Sequence, residues 1–383
     1  MSAHYELRTP TRWAQPPSVF SFSSLQTLGL CSRRWQLENS EWGGQARFPS
    51  RVHPSAVEGQ IVHDGLDRLA RALGLAGRPP IGSPEFQAVA EDCGFWKFFG
   101  DEVAARNKQS SEHPRTGPGF VIRTPPRELA NRAVMLFRQQ YQAGTGKSLS
   151  RRADSLMEVE TPIFDRLLRA QSLSEVRLTH PDLPLVGILD VVMVDDEGHV
   201  SIVDFKTGAP KEGHLQQLYL YAVLWWRATG RPPARIEVQY LTEGLGKTVT
   251  VDELERAERK CASQICDASA AILMQPAPAT TGGHCRSCAV RARCDDGWRV
   301  VESAAPVVGL PFDTEVRVDS VPATTGFMGL RCNGAEVAVV YDAAVGSTLP
   351  EVSVGARVRL IGVLPRDECR TLEFKAWSEC FVV

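Results

Sequence analysis

The 383-residue chain lacks several features, and each absence narrows the class of protein it can be. It has no apolar run long enough to cross a bilayer, so we expect no membrane helix. Its first residues show no apolar stretch followed by small residues, as a secretory leader would, and we therefore expect a cytoplasmic protein. Charge of one sign is not in excess, since 43 Lys and Arg face 45 Asp and Glu. Any contact with nucleic acid must then depend on local basic patches.

Two glycine-rich fragments lack the first glycine of a phosphate-binding loop. Residues 144–148 and 244–248 end as such a loop ends, but Tyr141 and Leu241 stand where the motif needs glycine. Neither fragment joins a strand to a helix, because the first follows a predicted helix and the second is predicted as a hairpin turn. We therefore expect no ATP site.

The composition is that of a globular protein, with 43% hydrophobic and 23% charged residues, and the length favours two domains. Helical and strand patterns alternate to about residue 300, and short strands separated by Gly, Pro and Asp follow. We predict an α/β domain over residues 1–300, with a helical insertion at about 64–172. A small OB-like β-barrel is predicted over residues 305–383.

Local patterns place the main elements of the first domain. Apolar residues recur at helical spacing in 21–38, 59–75, 127–142, 214–230 and 251–274. Between about 76 and 125 the pattern indicates loops around a short aromatic helix near 95–99. Strands are predicted at 175–180 and 234–244, with a hairpin over 185–208 that turns at 195–198.

Two carboxylates lie in β-branched strand contexts on either side of this hairpin turn. Asp190 ends the run LVGIL, and Asp204 lies in the run IVDFKTG. Buried carboxylates are costly, but two on adjacent strands can converge on a divalent cation that neutralises both. Strand alternation puts Asp204 and Lys206 on one face. This arrangement suits phosphodiester hydrolysis, and an ordinary surface pair of Asp and Lys is the structural alternative.

Ten cysteines in a cytosolic chain indicate metal or redox chemistry rather than disulfides. Cys285, Cys288 and Cys294 are clustered, and Cys31 can supply a fourth thiolate, enough for a [4Fe-4S] cluster or a zinc site. The spacing alone does not choose between the two metals. The remaining six cysteines stand singly and are predicted to be small buried side chains: Cys93, Cys261, Cys266, Cys332, Cys369 and Cys380.

The motifs of the first domain resemble the RecB-type branch of the PD-(D/E)XK nucleases. The resemblance rests on residues 187–190, GILD, and 203–208, VDFKTG, in that order. The next predicted helix carries Gln217 and Tyr221 four residues apart, as in the Gln-x-x-x-Tyr signature of that family. Upstream, residues 59–63, GQIVH, match its Gly-x-x-x-His motif.

This resemblance implies a restriction-endonuclease-like mixed sheet and a metal-dependent DNA nuclease. The residues it implies are His63, Asp190, Asp204 and the Phe205 carbonyl as ligands of Mg²⁺ or Mn²⁺, with Lys206 as the catalytic lysine. Gln217 and Tyr221 complete the signature. Glu175 stands where related nucleases often have an acidic residue, and an exposed charge at a strand start is the alternative.

The position of the cysteines resembles that in the iron-staple nucleases, namely AddB and the iron-sulfur CRISPR-associated exonucleases. One cysteine, Cys31, follows a Ser-x-Ser-x-Leu segment at 21–25, and three more follow the core. Ser32 stands where proline is usual in that family, but proline is not a ligand. The resemblance covers about residues 20–300. It implies a [4Fe-4S] cluster bound by Cys31, Cys285, Cys288 and Cys294, which closes a very long loop.

The expected function is a Mg²⁺- or Mn²⁺-dependent deoxyribonuclease, an exonuclease rather than an endonuclease, acting on single-stranded DNA or DNA ends. Genome defence, CRISPR-type adaptation and recombinational repair, with or without a protein partner, all remain open. The alternative is a non-catalytic DNA-binding or adaptor subunit. Arg33 and Arg34 are candidates for guiding the strand. The candidates for a single-strand surface on the barrel are Phe327, Arg331, Phe374 and Trp377, with barrel core as the alternative for the aromatic residues.

Overall fold

The structure is a computed structural model that describes residues 5–383 except 52, 78, 114, 116–120, 144–161, 242, 304, 324 and 343–349. Its helices are α1 (Phe22–Leu30), α2 (Ser32–Asn39), α3 (Pro54–Leu75), α4 (Pro84–Asp92), α5 (Phe95–Ser111), α6 (Pro126–Ala143), α7 (Ile163–Ala170), α8 (Glu212–Thr229), α9 (Val251–Leu273) and α10 (Asp295–Glu302). Its strands are β1 (Ser172–Thr179), β2 (Val186–Val194), β3 (Val200–Lys206), β4 (Arg235–Tyr240), β5 (Gly244–Thr248), β6 (Phe312–Ala323), β7 (Gly326–Arg331), β8 (Glu336–Val340), β9 (Arg357–Arg366), β10 (Thr371–Glu373) and β11 (Glu379–Val382). Within the described residues, no helix is both long and apolar enough to cross a membrane.

A five-stranded sheet in the order β1-β2-β3-β4-β5 forms the centre of the first part of the chain. Its neighbours are antiparallel except β3 and β4, which are parallel. Parallel neighbours need a long connection, and α8 supplies it by crossing from the end of β3 to the start of β4. The mixed α/β sheet predicted from the sequence is therefore present.

Helices cover both faces of this sheet. One core lies under α1, α7, α8 and α9 and includes Ile202, whereas the other lies under α3 to α6 and includes Val203 and Phe205. The division follows from strand geometry, because alternate residues of a strand face opposite sides. Asp204 therefore shares the α8 side with Ile202. In chain order, α3 to α6 lie between the first two helices and the sheet, in the region where the helical insertion was predicted.

The segment 21–38, predicted as one helix, is two helices separated at Cys31. Cys31 is extended, with φ −167° and ψ 110°, so it ends α1 and precedes the first residue of α2. Its N–H still donates to the Thr27 carbonyl, as at a helix end. Apolar spacing did not reveal the break because Leu28 and Trp35, on either side of it, are both buried.

Other predictions of local structure are also corrected. Residues 244–248 are the edge strand β5 and not a hairpin turn. The region around the short aromatic helix contains two longer helices, α4 and α5. Cys266 and Cys332 are exposed, so their predicted burial is wrong, whereas Cys261 and Cys380 are buried. The other glycine-rich fragment, 144–148, lies outside the described residues.

The tail forms the predicted small barrel. Its strands run in the order β10-β8-β7-β6-β9-β11, and an additional pairing of β10 with β9 closes a five-stranded barrel. Val316, Val339 and Leu360 lie in its core. The strand β7 was not predicted as a separate element, and the last predicted strand is divided into β10 and β11. The connection expected between the second and third predicted strands falls mostly on residues 343–349, outside the described residues.

A further core joins the barrel to the cysteine region. Cys285 and Trp298 belong to the same apolar cluster as Ile361 and Phe381 of the barrel. Arg359 of β9 is also buried there and donates to the Ala292 carbonyl at 3.0 Å. The barrel is therefore packed directly on the segment that carries three of the clustered cysteines.

Candidate active site and cysteine cavity

Three carboxylates stand in a row across β1, β2 and β3. Glu175 lies between two pairs of β1 with β2, Ser174 with Val191 and Val176 with Leu189, so it stands near Asp190 although it is not itself paired. The pairing of Val191 with Val203 continues by one step to place Asp190 opposite Asp204. The two predicted metal-binding carboxylates are thus brought together by adjacent strands, with the third acidic residue beside them.

The backbone at Glu175 is distorted. Its φ of 51° lies in the left-handed region, which residues other than glycine seldom adopt. The pairing of β1 with β2 skips this residue. Leu173 and Val176 belong to the same core although they are three residues apart, so the strand changes phase between them. Such local strain is typical of functional sites, and it leaves the Glu175 carboxylate exposed at the end of the row.

The environments of Asp190 and Asp204 disfavour their charged forms. The Phe205 N–H donates to Asp190 Oδ2 at 2.9 Å, and Lys206 Nζ lies 2.6 Å from Asp204 Oδ2. Asp204 Oδ1 is buried and has no hydrogen-bond partner in the described part of the chain. Burial, followed by the charge of Asp190, raises the pKa of Asp204 to about 7, and Lys206 opposes this rise. Burial also raises the pKa of Asp190. Additional positive charge between the two carboxylates would relieve both penalties.

Helix α3 brings His63 to the end of β3. A Cβ on Gly59, one turn earlier, would lie 3.2 Å from Thr207 Oγ1, so the helix approaches the strand end closely at this glycine. The His63 ring is within hydrogen-bonding reach of the Phe205 backbone. Burial, followed by the charge of Lys206, lowers the pKa of His63. A neutral imidazole is the form that binds metal ions.

Helix α8 places Gln217 and Tyr221 over the same site. Gln217 Nε2 donates to the Tyr221 hydroxyl at 2.6 Å. A Cβ on Gly187 would come within 2.9 Å of the Tyr221 ring, so the GILD motif needs its glycine for this contact. Burial raises the pKa of Tyr221, and the charges of Asp204 and Asp190 add to the effect. The phenol therefore remains protonated at neutral pH.

His214 is a residue near the site that the sequence did not single out. Its Nδ1 lies 2.9 Å from the hydroxyl of Tyr240, which is paired with Lys206 between β4 and β3. His214, Gln217 and Tyr221 are spaced by three and then four residues, so they share one side of α8. That spacing was the signal available in the sequence.

A second group of ligand-type residues lies at the β2–β3 turn. Among the described residues, Asp195, Glu197 and His199 offer ligand atoms that are all within 4.8 Å of one another, and all three side chains are exposed. The sequence had not marked His199 as a ligand. Asp195 Oδ1 already accepts the N–H groups of Glu197 and His199, which accounts for the cluster as a turn. The predicted ligands around Asp204 are more widely spaced.

The four predicted cluster cysteines line one cavity. Cys31, Cys285, Cys288 and Cys294 are all buried and line one pocket, whose empty volume, including the open solvent at its mouth, is about 320 Å³. Cys31 reaches this cavity from the break between α1 and α2, although it is far from the others in sequence. Burial raises the pKa of Cys288 to about 11 and also raises that of Cys294. Thiolates there would be favoured only next to a cation.

A glycine and two arginines complete the surroundings of this cavity. The N–H of Gly297 donates to Cys294 Sγ at 3.4 Å. Arg34 lines the cavity and pairs with Glu38 at 2.9 Å, and Arg33 donates to the Ala277 carbonyl. The two arginines expected to guide DNA are therefore engaged within the protein.

The residues expected to form a single-strand surface on the barrel do not share one face. Phe327 and Phe374 are buried in the barrel core, which is the alternative that the sequence left open for them. Arg331 is half-buried and donates to Thr314 Oγ1 at 3.0 Å. Trp377 is 46% exposed and remains a candidate.

A family model describing the PD-(D/E)XK nuclease superfamily matches residues 19–295. This range covers most of the chain and contains the carboxylate site and the cysteine cavity. The chain therefore belongs to the PD-(D/E)XK nuclease superfamily, whose members are nucleases that use divalent metals and act on nucleic acid.

Other comparisons add little. No curated protein matches the chain. Among solved structures, the tetrameric p202 HIN2 is similar at 18% identity and a TM-score of 0.17, over 19% of this chain and 41% of that one. The structure of SSO0001 is similar at 10% identity and a TM-score of 0.24, over 63% of this chain and 96% of that one. TM-scores this low carry no argument about fold or function.

Proposed function

We propose that the chain is a Mg²⁺- or Mn²⁺-dependent deoxyribonuclease that hydrolyses phosphodiester bonds in single-stranded DNA or at DNA ends. The observation that carries the proposal is the opposed pair Asp190 and Asp204 beside Lys206, with a buried carboxylate oxygen left without a partner among the described residues. Such a group is costly to retain unless a cation is bound there.

The residues present fit a hard divalent cation. The carboxylates of Asp190 and Asp204, the Phe205 carbonyl and the neutral imidazole of His63 would hold it. When bound, the cation would supply positive charge that makes a water molecule more acidic and offsets charge on the phosphate. The exposed Glu175 carboxylate lies at the open end of the row, where it can orient that water.

The other side chains act on the DNA itself. Lys206 carries the fixed positive charge nearest to Asp204, and it would stabilise the phosphate oxygens as negative charge develops on them. The protonated hydroxyl of Tyr221 and the amide of Gln217 are hydrogen-bond donors on the same side of the sheet. They would orient the strand for attack.

We also assign a [4Fe-4S] cluster to Cys31, Cys285, Cys288 and Cys294. All four line one cavity, and burial raises the pKa of Cys288 and of Cys294, so a cation beside these two thiols would favour their ionisation. The choice of iron over zinc rests on the resemblance to the iron-staple nucleases, since four thiolates can bind either metal. Its role would be to hold distant parts of the chain together.

The division into a nuclease domain over residues 1–300 and an OB-like domain over 305–383 completes the proposal. Closure of the tail into a barrel supports it. We assign the protein to genome defence, CRISPR-type adaptation or recombinational repair, on its resemblance to the RecB and AddB branch. A protein partner in such a complex would use surfaces away from the carboxylate site.

One assay tests the proposal directly. Purified protein is incubated with end-labelled linear and with circular DNA, single- and double-stranded, in Mg²⁺, Mn²⁺ or EDTA. We expect metal-dependent loss of linear single strands and of ends, with circular DNA resistant. Cleavage of circular DNA would show that the protein is an endonuclease and not an exonuclease. Binding without any cleavage would instead favour a non-catalytic adaptor subunit.

A further inference from the structure

His214 begins the side of α8 that faces the carboxylate site. It is followed at three and seven residues by Gln217 and Tyr221, whose hydroxyl is close enough to Asp204 to be affected by its charge. Tyr240, the residue that His214 contacts, is paired with Lys206 between the parallel strands β4 and β3. His214 therefore lies on the α8 side of the site, one turn outside the Gln-x-x-x-Tyr signature.

The contact with Tyr240 defines which ring nitrogen of His214 faces outward. Tyr240 is 3% exposed, and its hydroxyl lies 2.9 Å from His214 Nδ1. Either atom can be the donor in this contact, and we assign donation to the buried phenol hydroxyl, which leaves the proton of a neutral imidazole on Nε2. His214 itself is half-buried, so the Nε2 edge remains available to a ligand.

The charge around His214 suits an anionic ligand. Burial, followed by the charges of Lys206 and Lys211, lowers the pKa of His214, so the ring is neutral at pH 7 and has one N–H to donate. Both lysines are therefore close enough to His214 for their charges to act on the same ligand. A phosphate oxygen is the ligand that combines negative charge with acceptance of a hydrogen bond.

We propose that His214 is a DNA-binding residue of this site, whose Nε2–H donates to a non-bridging oxygen of a phosphate next to the scissile one. Tyr240 is its positioning residue, since it fixes the tautomer. The inference rests on the proposed nuclease function and deepens it, because it identifies a contact to the strand outside the metal ligands. The contact is made equally in the bound substrate and in the transition state, so it should act on KM.

Two amide replacements separate the ring nitrogens. Glutamine can place an N–H where histidine has Nε2, whereas asparagine can replace only Nδ1. We expect His214→Asn to raise KM for a single-stranded oligonucleotide roughly 10-fold or more, with kcat changed less than about 3-fold. His214→Gln should stay within about 3-fold of wild type in both constants. Tyr240→Phe should raise KM by a smaller factor than His214→Asn. The matched control is His199→Asn, at an exposed turn, which should leave both constants unchanged.

Binding provides a second readout that does not need turnover. Fluorescence anisotropy of a labelled oligonucleotide with Ca²⁺ should show weaker binding for His214→Asn and not for His214→Gln, with melting temperatures unchanged. Equal KM and affinity in wild type and His214→Asn would overturn the inference, as would a loss confined to kcat. A wild-type protein that binds DNA without cleaving it would defeat the proposed nuclease function, while the difference between Asn and Gln in binding would still test His214.

Discussion

The carboxylate site is held by hydrogen-bonded strands, whereas the cysteine cavity is held by short turns from distant parts of the chain. Asp190 and Asp204 face each other because β2 and β3 are joined by a tight hairpin. Cys31 precedes the five-stranded sheet in the chain, whereas the other three cysteines follow it. Cys285 lies in a short 3-10 helix. A site of the first kind can keep its geometry without metal, whereas the metal proposed for the second would hold its parts together.

The two regions also differ in how charge is balanced. In the carboxylate site, two acidic groups share Lys206 and are left with excess negative charge. Around the cysteines, the buried Arg359 pairs with Glu315 at 3.0 Å and with Asp295 at 2.6 Å. The first arrangement favours binding of a cation, and the second favours stability. Loss of a residue should therefore affect activity in one region and unfolding in the other.

The largest expected effect is on activity at the carboxylate site. Lys206→Met keeps the apolar stem and removes the charge, so cleavage should fall by about 10²–10³-fold or more, because charge developing on the phosphate is no longer stabilised. DNA affinity in Ca²⁺ and the melting temperature should change little. Cleavage rates, anisotropy and thermal melting measure the three quantities.

Lys247→Met is the matched control for this change. Lys247 also forms an ion pair with a carboxylate, Glu253 at 2.7 Å, but at the edge strand β5. Its loss should leave cleavage unchanged. Wild-type activity in Lys206→Met would show that this lysine has no catalytic role.

The next effect is on stability and colour at the cysteine cavity. Freshly purified protein should be brown, with broad absorbance near about 400 nm. Cys31→Ser and Cys288→Ser should both lose the colour and melt more than about 10 °C lower, because each removes a ligand that closes the same long loop.

Cys93→Ser and Cys332→Ser are the controls and should keep the colour and the iron. Metal analysis distinguishes the alternatives. A colourless wild type with stoichiometric zinc would show that the site binds zinc and not iron. Unchanged metal content in Cys31→Ser would show that Cys31 is not a ligand.

A smaller loss is expected where the barrel meets the cysteine region. Arg359→Met removes the buried one of the two arginines that pair with Glu315, at a cost of about 3 kcal/mol in the free energy of unfolding. Arg357 pairs with the same Glu315, but its side chain is 56% exposed, so Arg357→Met should cost less than about 1 kcal/mol. Denaturant unfolding measures both. Equal losses would mean that the barrel is not anchored through Arg359.

The smallest effect is a pH dependence of the metal-free protein. The pKa of Asp204 is raised from 3.8 to about 7 in the fold, so the folded state holds more protons than the unfolded chain between those values. Stability of the wild type in EDTA should therefore fall as the pH rises from about 4 to 7. Asp204→Asn has no such carboxylate, and its melting temperature relative to wild type should rise by roughly 2–4 °C between pH 5 and pH 7.

The exposed neighbour Asp196→Asn serves as the control and should show no such gain. Addition of Mn²⁺ should reverse the order of the two melting temperatures, because it stabilises the wild type and not Asp204→Asn. A constant difference between wild type and Asp204→Asn from pH 5 to pH 7 would mean that Asp204 ionises normally.

Much of the carboxylate site could be predicted from local sequence. The hairpin, its turn and the alternation of Asp204 and Lys206 all depend on neighbouring residues, so the pairing of β2 with β3 could be predicted. The spacing of Gln217 and Tyr221 likewise depends on one helix. The role of His214 could not be predicted from the sequence, because it depends on a contact with Tyr240. The rest of α8 lies between these two residues in the chain, and they meet only when β4 pairs with β3.

By itself, then, the sequence determined the mixed sheet, the barrel and the groups of residues that carry chemistry, since these follow from patterns of period two and from motifs within single elements. Tertiary structure alone decided the break of the helix at Cys31, the burial of Phe327 and Phe374, and the packing of the barrel on the cysteine region. Each of these depends on contacts between residues far apart in the chain, as between Arg359 and Asp295. Such contacts leave no local periodicity in the sequence, because each buried group finds its partner in a distant segment of the chain.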